Sequence, residues 1–297
     1  MPDSSRILVF GAGIIGSLYA LRFIQTGMDV TLLARGNRLE ELRENGLKHS
    51  EKGLIKTVPV NLIESLERDD VYDFIFVPVR YDQMPSALMA IQANRSENIV
   101  TLANTTGYDE WTSIIGGRLV PGFPGAGGDM KDGVLYGKFG KKVQGTIFGE
   151  INGEITKRIE QLASIFESAC LPYEISKDIL AFHLSHAAFV AAIRNFYAKS
   201  GMLDARSAKR RDILRKVATD IKQNVHLLEQ AGISILDPKT RIAGKMPSWA
   251  VIAVFRLMLS MKFTRSVLLG SHALAAKEEI LRIDKFFQEK SFESKLV

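Results

Sequence analysis

Cysteine is almost absent from this chain of 297 residues, since Cys170 is the single one. A lone thiol excludes an internal disulfide, and no group of histidines and cysteines has the spacing of a structural zinc site. We therefore expect a protein of a reducing compartment that binds no metal.

Long hydrophobic runs are absent as well. The longest apolar stretch, from Trp249 to Met261, is interrupted by Arg256 and is too short to cross the roughly 30 Å of hydrocarbon in a bilayer. Residues 1–5 are polar and run directly into Arg6, which leaves no room for the basic and apolar regions of a signal peptide. These features predict a cytoplasmic protein with no membrane partner.

Positive charge is only in modest excess, with 39 lysines and arginines against 33 aspartates and glutamates and a net charge of +6. A nucleic-acid-binding protein more often concentrates its basic residues, so we expect no nucleic-acid partner. The excess suits a phosphate-bearing cofactor and an anionic substrate. An apolar fraction of 46% indicates a well-packed globular protein, and the length favours two domains.

Strand-like apolar runs alternate with longer amphipathic or polar stretches through the first half of the chain. The runs are Ile7–Phe10, Val30–Leu33, Phe74–Val77 and Ile99–Leu102. This alternation is typical of parallel strands joined by crossovers, as in a doubly wound sheet. Between the second and third runs, Gly46–Ser50 and Leu54–Ile63 indicate further short strands in a hairpin insertion. The glycine-dense segment Gly116–Gly149 also contains short strand-like runs separated by turns.

The character of the sequence changes after Lys177. Beyond it, apolar residues recur at helical spacing and strand signals are almost missing. We therefore expect an N-terminal Rossmann-type α/β domain over residues 1–176 and a mainly α-helical domain for substrate binding and dimerisation over residues 177–297. An apolar helix face in the second domain can pack within that domain or against another copy in a homodimer.

A glycine turn directly follows the first predicted strand. It reads Gly11-Ala12-Gly13-Ile14-Ile15-Gly16 and leads into the helix-compatible segment Ser17–Thr26. In such a turn the first glycine permits the tight bend, the second lets backbone approach a pyrophosphate, and the third lets helix and strand pack closely. The phosphates would lie at the positive N-terminus of the helix. These six residues therefore predict a dinucleotide site.

The end of the second predicted strand bears on which dinucleotide is bound. An acidic side chain there would accept the ribose 2′-hydroxyl of NAD, but the strand runs into Arg35, with Asn37 and Arg38 close behind. A guanidinium group matches a 2′-phosphate, so the sequence favours NADP over NAD. The alternative is that Arg35 and Arg38 are surface charges.

Four segments together resemble the ketopantoate reductase (2-dehydropantoate 2-reductase) family. They are Gly11–Gly16, the ending Leu33–Gly36, the strand exit Val77–Asp82, and Leu102–Glu110. The resemblance implies a Rossmann domain joined to a helical domain, which together hold NADPH and a branched 2-oxo acid. It also implies an enzyme of pantothenate biosynthesis that reduces 2-dehydropantoate to pantoate.

The resemblance implies site residues, and the sequence departs from the family at several of them. Arg80 stands where the family usually has lysine, and Asn104 is kept from its Gln-Asn-Gly motif. Both would lie beside the nicotinamide and the substrate, with Arg80 holding the carboxylate and Asn104 orienting the carbonyl. The alternatives are a salt-bridged surface arginine and a turn-capping asparagine. The family's catalytic lysine has no counterpart in Leu180–Val190, which carries His183 and His186 instead. We take His186 as the proton donor, because imidazole can donate near neutral pH.

The family's serine and glutamate substrate ligands are sought near the chain end, around Ser271, His272, Glu278 and Glu279, where the usual spacing is absent. A lone histidine in a helix is usually structural, so packing is the alternative role for His183 and His272.

Three functions follow from these observations. The first is NADPH-dependent reduction of 2-dehydropantoate, and the second is the same chemistry on a different 2-oxo acid. The third is a nucleotide-binding regulatory protein that has lost catalysis, which the missing lysine supports.

Overall fold

A computed structural model describes residues 5–140, 145–193, 210–260 and 277–289. The chain divides into two compact units. One is Met1–Ala103 with Gly107–Ile179, and the other is Asn104–Thr106 with Leu180–Val297. One short segment, Asn104–Thr106, therefore belongs to the second unit, and the chain returns to the first unit before the helical half begins.

The first unit is built on two sheets. Its strands are β1 (Arg6–Phe10), β2 (Asp29–Leu33), β3 (Leu47–Glu51), β4 (Leu54–Val58), β5 (Asn61–Ile63), β6 (Phe74–Val77), β7 (Ile99–Leu102), β8 (Leu119–Phe123), β9 (Ala126–Lys131), β10 (Val134–Phe139), β11 (Thr146–Phe148) and β12 (Tyr173–Ile175). The larger sheet has eight strands in the order β12-β11-β8-β7-β6-β1-β2-β5. Neighbours are parallel except for β8 and β11.

The central strands of the larger sheet are apolar along their length because helices cover both faces of a doubly wound sheet. In β6 and β7 every residue is buried. The helices of this unit are α1 (Ile14–Gln25), α2 (Gly36–Asn45), α3 (Met84–Ile91), α4 (Asp109–Ile115) and α5 (Lys157–Ser168). Tyr19 and Phe23 from α1 pack with Phe76 and Phe166, with ring centroids 5.2–6.4 Å apart. This aromatic cluster anchors α1 to the sheet.

The smaller sheet has four strands in the order β4-β3-β10-β9. It combines two antiparallel hairpins, which meet through a parallel contact between Leu135 and His49. A Cβ atom at Gly137 would lie 2.6 Å from Leu18 of α1. The glycines of this segment therefore allow a strand to pack closely on α1, in addition to making turns.

The predicted insertion between the second and third apolar runs is present, and its second segment is divided between the two sheets. β4 pairs in the smaller sheet and β5 in the larger one. Pro59 lies between them and has no backbone N–H to give to a ladder. The proline therefore marks the point at which the chain changes sheets.

The second unit is helical among its described residues. Its helices are α6 (Ile179–Ile193), α7 (Arg211–Gln230), α8 (Pro238–Lys245), α9 (Ser248–Ser260) and α10 (Lys277–Gln288). α6 is apolar all round and is the core helix of the unit, with Ala181, Leu184 and Ala188 buried. The predicted fold class, a Rossmann-type sheet followed by a mainly helical part, is confirmed. Within the described ranges, no helix has both the length and the apolar character needed to cross a bilayer.

Candidate functional site

The glycine turn lies between β1 and α1, as its sequence predicts. Gly11 has a φ of +124°, a conformation that side-chain-bearing residues rarely adopt. A Cβ atom at Gly16 would overlap the carbonyl oxygen of Gly11, so only glycine lets the helix start this close to the strand. Gly13 is exposed, and a Cβ atom there would meet no atom within 4 Å. The first and third glycines therefore serve the fold, while the space above Gly13 is open for a ligand.

The N-terminus of α1 faces the open side of this turn. Gly13 is its N-cap, and Ile14 and Ile15 are half-buried residues of its first turn. The carbonyl oxygen of Ala12 accepts hydrogen bonds from Ser17 Oγ at 3.1 Å and from Arg38 Nε at 3.3 Å. The N–H groups of a first helical turn have no intrahelical partner and favour an anion. The two hydrogen bonds to the Ala12 carbonyl stabilise the turn, and the first N–H groups of α1 can bind a phosphate.

A cavity of about 510 Å³ adjoins the turn. Its lining includes Phe10, Gly13, Arg35, Arg38 and Ser86. Arg35 is exposed, with its guanidinium carbon 5.7 Å from the centre of the Phe10 ring. Sequence reasoning named both arginines, and the structure brings them to one cavity.

Arg38 is held more firmly than Arg35. Its Nη1 donates to Glu41 Oε2 at 2.7 Å, and its side chain is 20% exposed. Nη2 is buried and has no hydrogen-bond partner among the residues that the structure describes. Buried guanidinium N–H groups are usually paired, so this atom fits a ligand that brings oxygen atoms. The residues around the cavity therefore fit a dinucleotide that carries an additional phosphate.

Arg80 follows β6 and makes an ion pair inside its own loop. Its Nε donates to Asp82 Oδ1 at 3.1 Å and its Nη2 to Asp82 Oδ2 at 3.3 Å. The hydrogen bond from Arg80 lowers the pKa of the Asp82 carboxyl, against a smaller effect of burial. The Arg80 side chain is 40% exposed. The alternative that Arg80 is a salt-bridged arginine therefore describes the ion pair that the structure contains, although sequence reasoning did not name Asp82 as the partner. A carboxylate-bearing ligand would compete with Asp82 for this guanidinium.

Asn104 and Glu279 meet within the second unit, although they are far apart in the sequence. Asn104 Nδ2 donates to Glu279 Oε1 at 2.6 Å. Asn104 Oδ1 is buried without a hydrogen-bond partner in the described ranges, which leaves an acceptor to be satisfied. Both residues were candidates from the sequence, one on the Rossmann side and one near the chain end. The structure joins them in one pair.

His186 lies on α6 and faces a buried carboxylate. Its Nδ1 is 3.7 Å from Asp237 Oδ2, and its side chain is 13% exposed. That separation is an ion-pair distance, longer than a hydrogen bond. The ring stacks on Phe182, with centroids 6.3 Å apart and planes at 15°. Asp237 was not among the sequence candidates, and its only local signal is its place before Pro238 at a helix start.

Asp237 is ionised in this environment. Burial acts to raise its pKa, but the interaction with His186 and the hydrogen bond from Thr240 outweigh burial and lower the pKa to about 2. The carboxylate accepts from Thr240 N at 3.2 Å and Thr240 Oγ1 at 2.5 Å. A negative charge is therefore fixed beside the His186 ring.

The lowered pKa of Asp237 makes part of the stability pH-dependent. The pKa of this carboxyl is about 2 in the folded chain, against an ordinary value of 3.8 that applies to the unfolded chain. The difference contributes about 2 kcal/mol to the free energy of unfolding above pH 4, and this contribution is lost as the pH falls towards 2. Between pH 5 and pH 3, wild type should lose about 1 kcal/mol of unfolding free energy that Asp237→Asn does not lose. Urea unfolding of both proteins at the two pH values measures this difference, and equal losses would contradict it.

The remaining candidates contribute less to the described site. His183 is buried on α6, with its ring centre 6.0 Å from that of Phe182. Ser271 and His272 lie outside the described residues, and Glu278 falls in α10. In the part of the chain that the structure covers, no group of three or more histidine, cysteine, aspartate or glutamate side chains is placed to hold a metal.

These features define a class of protein. The class is that of dinucleotide-binding oxidoreductases. Its parts are a mainly parallel sheet in Rossmann order, a glycine turn at the first crossover and an adjoining cavity with two arginines.

Comparisons with known proteins agree with this class. Residues 7–122 match the family model of ketopantoate reductase PanE/ApbA. The 2-dehydropantoate 2-reductase of Archaeoglobus fulgidus is 28% identical over 176 residues, which span 59% of this chain and 57% of that enzyme. The 2-dehydropantoate 2-reductase of Pyrococcus horikoshii is 25% identical over 237 residues, which span 77% of this chain and 75% of that enzyme.

A solved structure extends the likeness in fold. D-mandelate dehydrogenase in a ternary structure with NADH and anilino(oxo)acetate has a TM-score of 0.68 to this chain at 16% identity, and the match covers 98% of this chain and 99% of that one. In sequence, residues 7–122 of this chain are therefore similar to the ketopantoate reductase family.

Proposed function

We propose that the protein uses NADPH to reduce a 2-oxo acid to the corresponding 2-hydroxy acid, with 2-dehydropantoate as the default substrate. The observation that carries this proposal is the open glycine turn beside a cavity with Arg35 and the buried Nη2 of Arg38. In this proposal residues 1–176 hold NADPH, and residues 177–297 supply groups on the substrate side. The similarity of residues 7–122 to the ketopantoate reductase family supports the class of reaction.

The preference for NADPH is assigned to Arg35 and Arg38. Two guanidinium groups beside one cavity can pair with the 2′-phosphate of NADPH, a group that NADH lacks. The pyrophosphate would lie over Gly13 at the N-terminus of α1. Glu41 and the Ala12 carbonyl hold Arg38 in place before the ligand arrives.

Removing either arginine should erase the cofactor preference. In Arg35→Ala and Arg38→Ala, the dissociation constant for NADPH should rise roughly 10–100-fold and that for NADH should change little, because a charge-assisted hydrogen bond contributes about 1.5–3 kcal/mol. Fluorescence titration with both cofactors measures this. Arg43→Ala is the matched control, since Arg43 lies on the same helix and pairs with Glu40 at the surface. An unchanged preference in both variants would contradict the assignment.

The chemistry of the substrate side follows from hydride transfer. When bound, NADPH would supply a hydride for the carbonyl carbon. As the electron pair of the C=O bond moves to oxygen, His186 gives a proton to that oxygen, and solvent reprotonates the ring. Asn104 donates a hydrogen bond that orients the carbonyl, and Arg80 leaves Asp82 to hold the substrate carboxylate.

The identity of the acid is a separate question. The substrate side lacks the family's lysine and carries His183 and His186, so the pocket is chemically different from that of a standard ketopantoate reductase. D-mandelate dehydrogenase, which shares the fold, was solved with anilino(oxo)acetate, an acid with an aromatic substituent. The second candidate function is therefore the same reduction on another 2-oxo acid. The third, a regulatory protein that binds NADPH without turnover, rests on the missing lysine.

A panel of 2-oxo acids assayed with NADPH and with NADH separates these functions. The panel should include 2-dehydropantoate, a smaller branched acid and an aromatic acid, with absorbance at the reduced nicotinamide band as the signal. Oxidation that depends on 2-dehydropantoate supports the default, and oxidation by another acid supports the second function. Tight NADPH binding with no turnover of any acid would overturn both enzyme functions and favour the third.

A further inference from the structure

Asp237 is surrounded by more contacts than a helix cap requires. It begins α8, and its side chain accepts from Thr240 N, which is the ordinary work of an N-cap residue. Asparagine, serine or threonine would cap equally well, whereas a carboxylate that is only 1% exposed is costly to bury. The free energy that is lost when the carboxylate is buried has to be offset by a positively charged partner. His186 on α6 is the side chain in ion-pair range of Asp237 Oδ2, at 3.7 Å.

The backbone on both sides fixes this pair. Ser185 precedes His186 on α6, and its Oγ accepts a hydrogen bond from Asp237 N at 2.9 Å while donating to Phe182 O at the same distance. The Asp237 main chain is therefore tied to the helix turn that carries His186. Thr240 holds the carboxylate from the other side, and Phe182 limits the tilt of the ring. Such an arrangement is preorganised, because neither partner has to be ordered when a ligand binds.

We propose that Asp237 is the positioning residue for His186: it holds the ring with Nδ1 towards the carboxylate and thereby directs Nε2 as the proton-donating atom. This inference rests on the proposed function, in which His186 protonates the substrate oxygen. A carboxylate that orients an imidazole and stabilises its positive form is a recurrent arrangement in acid–base catalysis. Asp237 itself transfers no proton and touches no substrate in this assignment.

Other titratable groups near the pair are Lys239 and His183. Lys239 is two residues along α8, where burial lowers its pKa and the charge of Asp237 acts in the opposite direction. His183 is one turn earlier on α6 than His186. Lys239 is the competing cation for Asp237, so the test has to separate its contribution from that of His186.

Asp237→Asn is the decisive variant because asparagine keeps the cap and removes only the charge. Nitrogen-15 spectra of the full chain report the protonation of the ring nitrogens in each of the five histidines, and His186→Gln identifies the His186 signals. At a fixed pH, the nitrogen-15 signal of His186 Nδ1 should shift in Asp237→Asn, because the carboxylate beside it is replaced, and the signals of the other histidines should not change. Lys239→Met is the control and should leave the His186 signal unchanged. An unchanged His186 signal in a folded Asp237→Asn protein would overturn the proposal.

Turnover supplies a second measurement. In Asp237→Asn, kcat for the acid that the panel identifies should fall by at least about 10-fold, since replacing a carboxylate that orients a catalytic histidine by an amide can cost about 10⁴-fold in kcat. The substrate KM and NADPH affinity should stay within a few-fold of wild type. A loss of kcat that only follows the folded fraction would mean a purely structural role and would also overturn the proposal.

The two readouts distinguish this inference from the proposed function. If no 2-oxo acid is turned over, the proposed function fails, while the nitrogen-15 experiment still decides whether Asp237 acts on the His186 ring. If turnover is present but the His186 signals are unchanged in Asp237→Asn, the positioning role fails alone. Should Asp237→Asn not fold, Asp237→Ser provides another cap without charge and the same measurements apply.

Discussion

Gly13→Val should reduce NADPH affinity on the order of 100-fold without unfolding the protein. The φ of Gly13 is −71° and its ψ is −174°, an extended conformation that valine adopts readily, and the position has open space around it. The two added methyl groups would occupy the place where a pyrophosphate approaches the backbone, and a steric conflict of this kind costs about 1–3 kcal/mol. Isothermal titration with NADPH, together with a thermal melt, measures both effects.

Two further glycine variants make this test specific. Gly127→Val places the same side chain on β9, where a Cβ atom also meets nothing within 4 Å, and should leave NADPH affinity unchanged. Gly16→Ala should instead destabilise the first unit, since its Cβ atom would overlap the Gly11 carbonyl oxygen. A Gly13→Val protein that binds NADPH as wild type does would remove this turn from the cofactor site.

His186→Gln should lower kcat by about 10²–10⁴-fold, the usual contribution of a general acid, while NADPH affinity stays within a few-fold of wild type. The expected separation arises because the glycine turn belongs to the first unit and His186 to the second. Steady-state kinetics and NADPH titration on the same preparation test this. The loss should appear in kcat more than in KM, because a proton donor acts on the transition state.

The choice of glutamine follows from the structure. Alanine at this position would leave the Asp237 carboxylate buried without its partner, and the resulting instability would obscure any effect on turnover. Glutamine retains a side chain that can donate to Asp237 but cannot serve as an acid. His226→Gln, an exposed histidine on α7, is the matched control and should have wild-type kinetics. Wild-type turnover in His186→Gln would exclude His186 from the reaction and direct attention to His183 and Glu279.

The sequence predicted the local elements of the fold because the forces that make them are local. Buried parallel strands such as β1 and β6 are short apolar runs, and the glycine spacing marks the tight turn between β1 and α1. The pairing of β3 with β10 was not predicted, since it joins segments separated by more than eighty residues through a single register contact. The helical character of the second unit was predicted, like the strands, from a local pattern: apolar residues recur at helical spacing, as on the buried face of α7.

The same distinction applies to the candidate site. Arg35 and Arg38 were predicted because they follow a strand at a known distance from the glycine turn. A salt-bridged Arg80 was one of the alternatives, but its partner Asp82 was not named, and the pair of Asp237 with His186 was missed. The reason is that an ion pair depends on side-chain placement that periodicity does not encode. Asn104 and Glu279 were named separately, and only the folded chain shows that they form a hydrogen bond.

The path of the chain between its two units limits how the protein can be recombined with relatives. The backbone crosses between units at residues 103 and 104, at 106 and 107, and at 179 and 180. A chimera with a single junction near residue 180 would inherit Glu279 from one parent and its hydrogen-bond partner Asn104 from the other. Residues 104–106 therefore have to be transplanted together with the helical half if the exchanged part is to work. The segments of this unit are separate in the gene, although they form one compact unit in the folded chain.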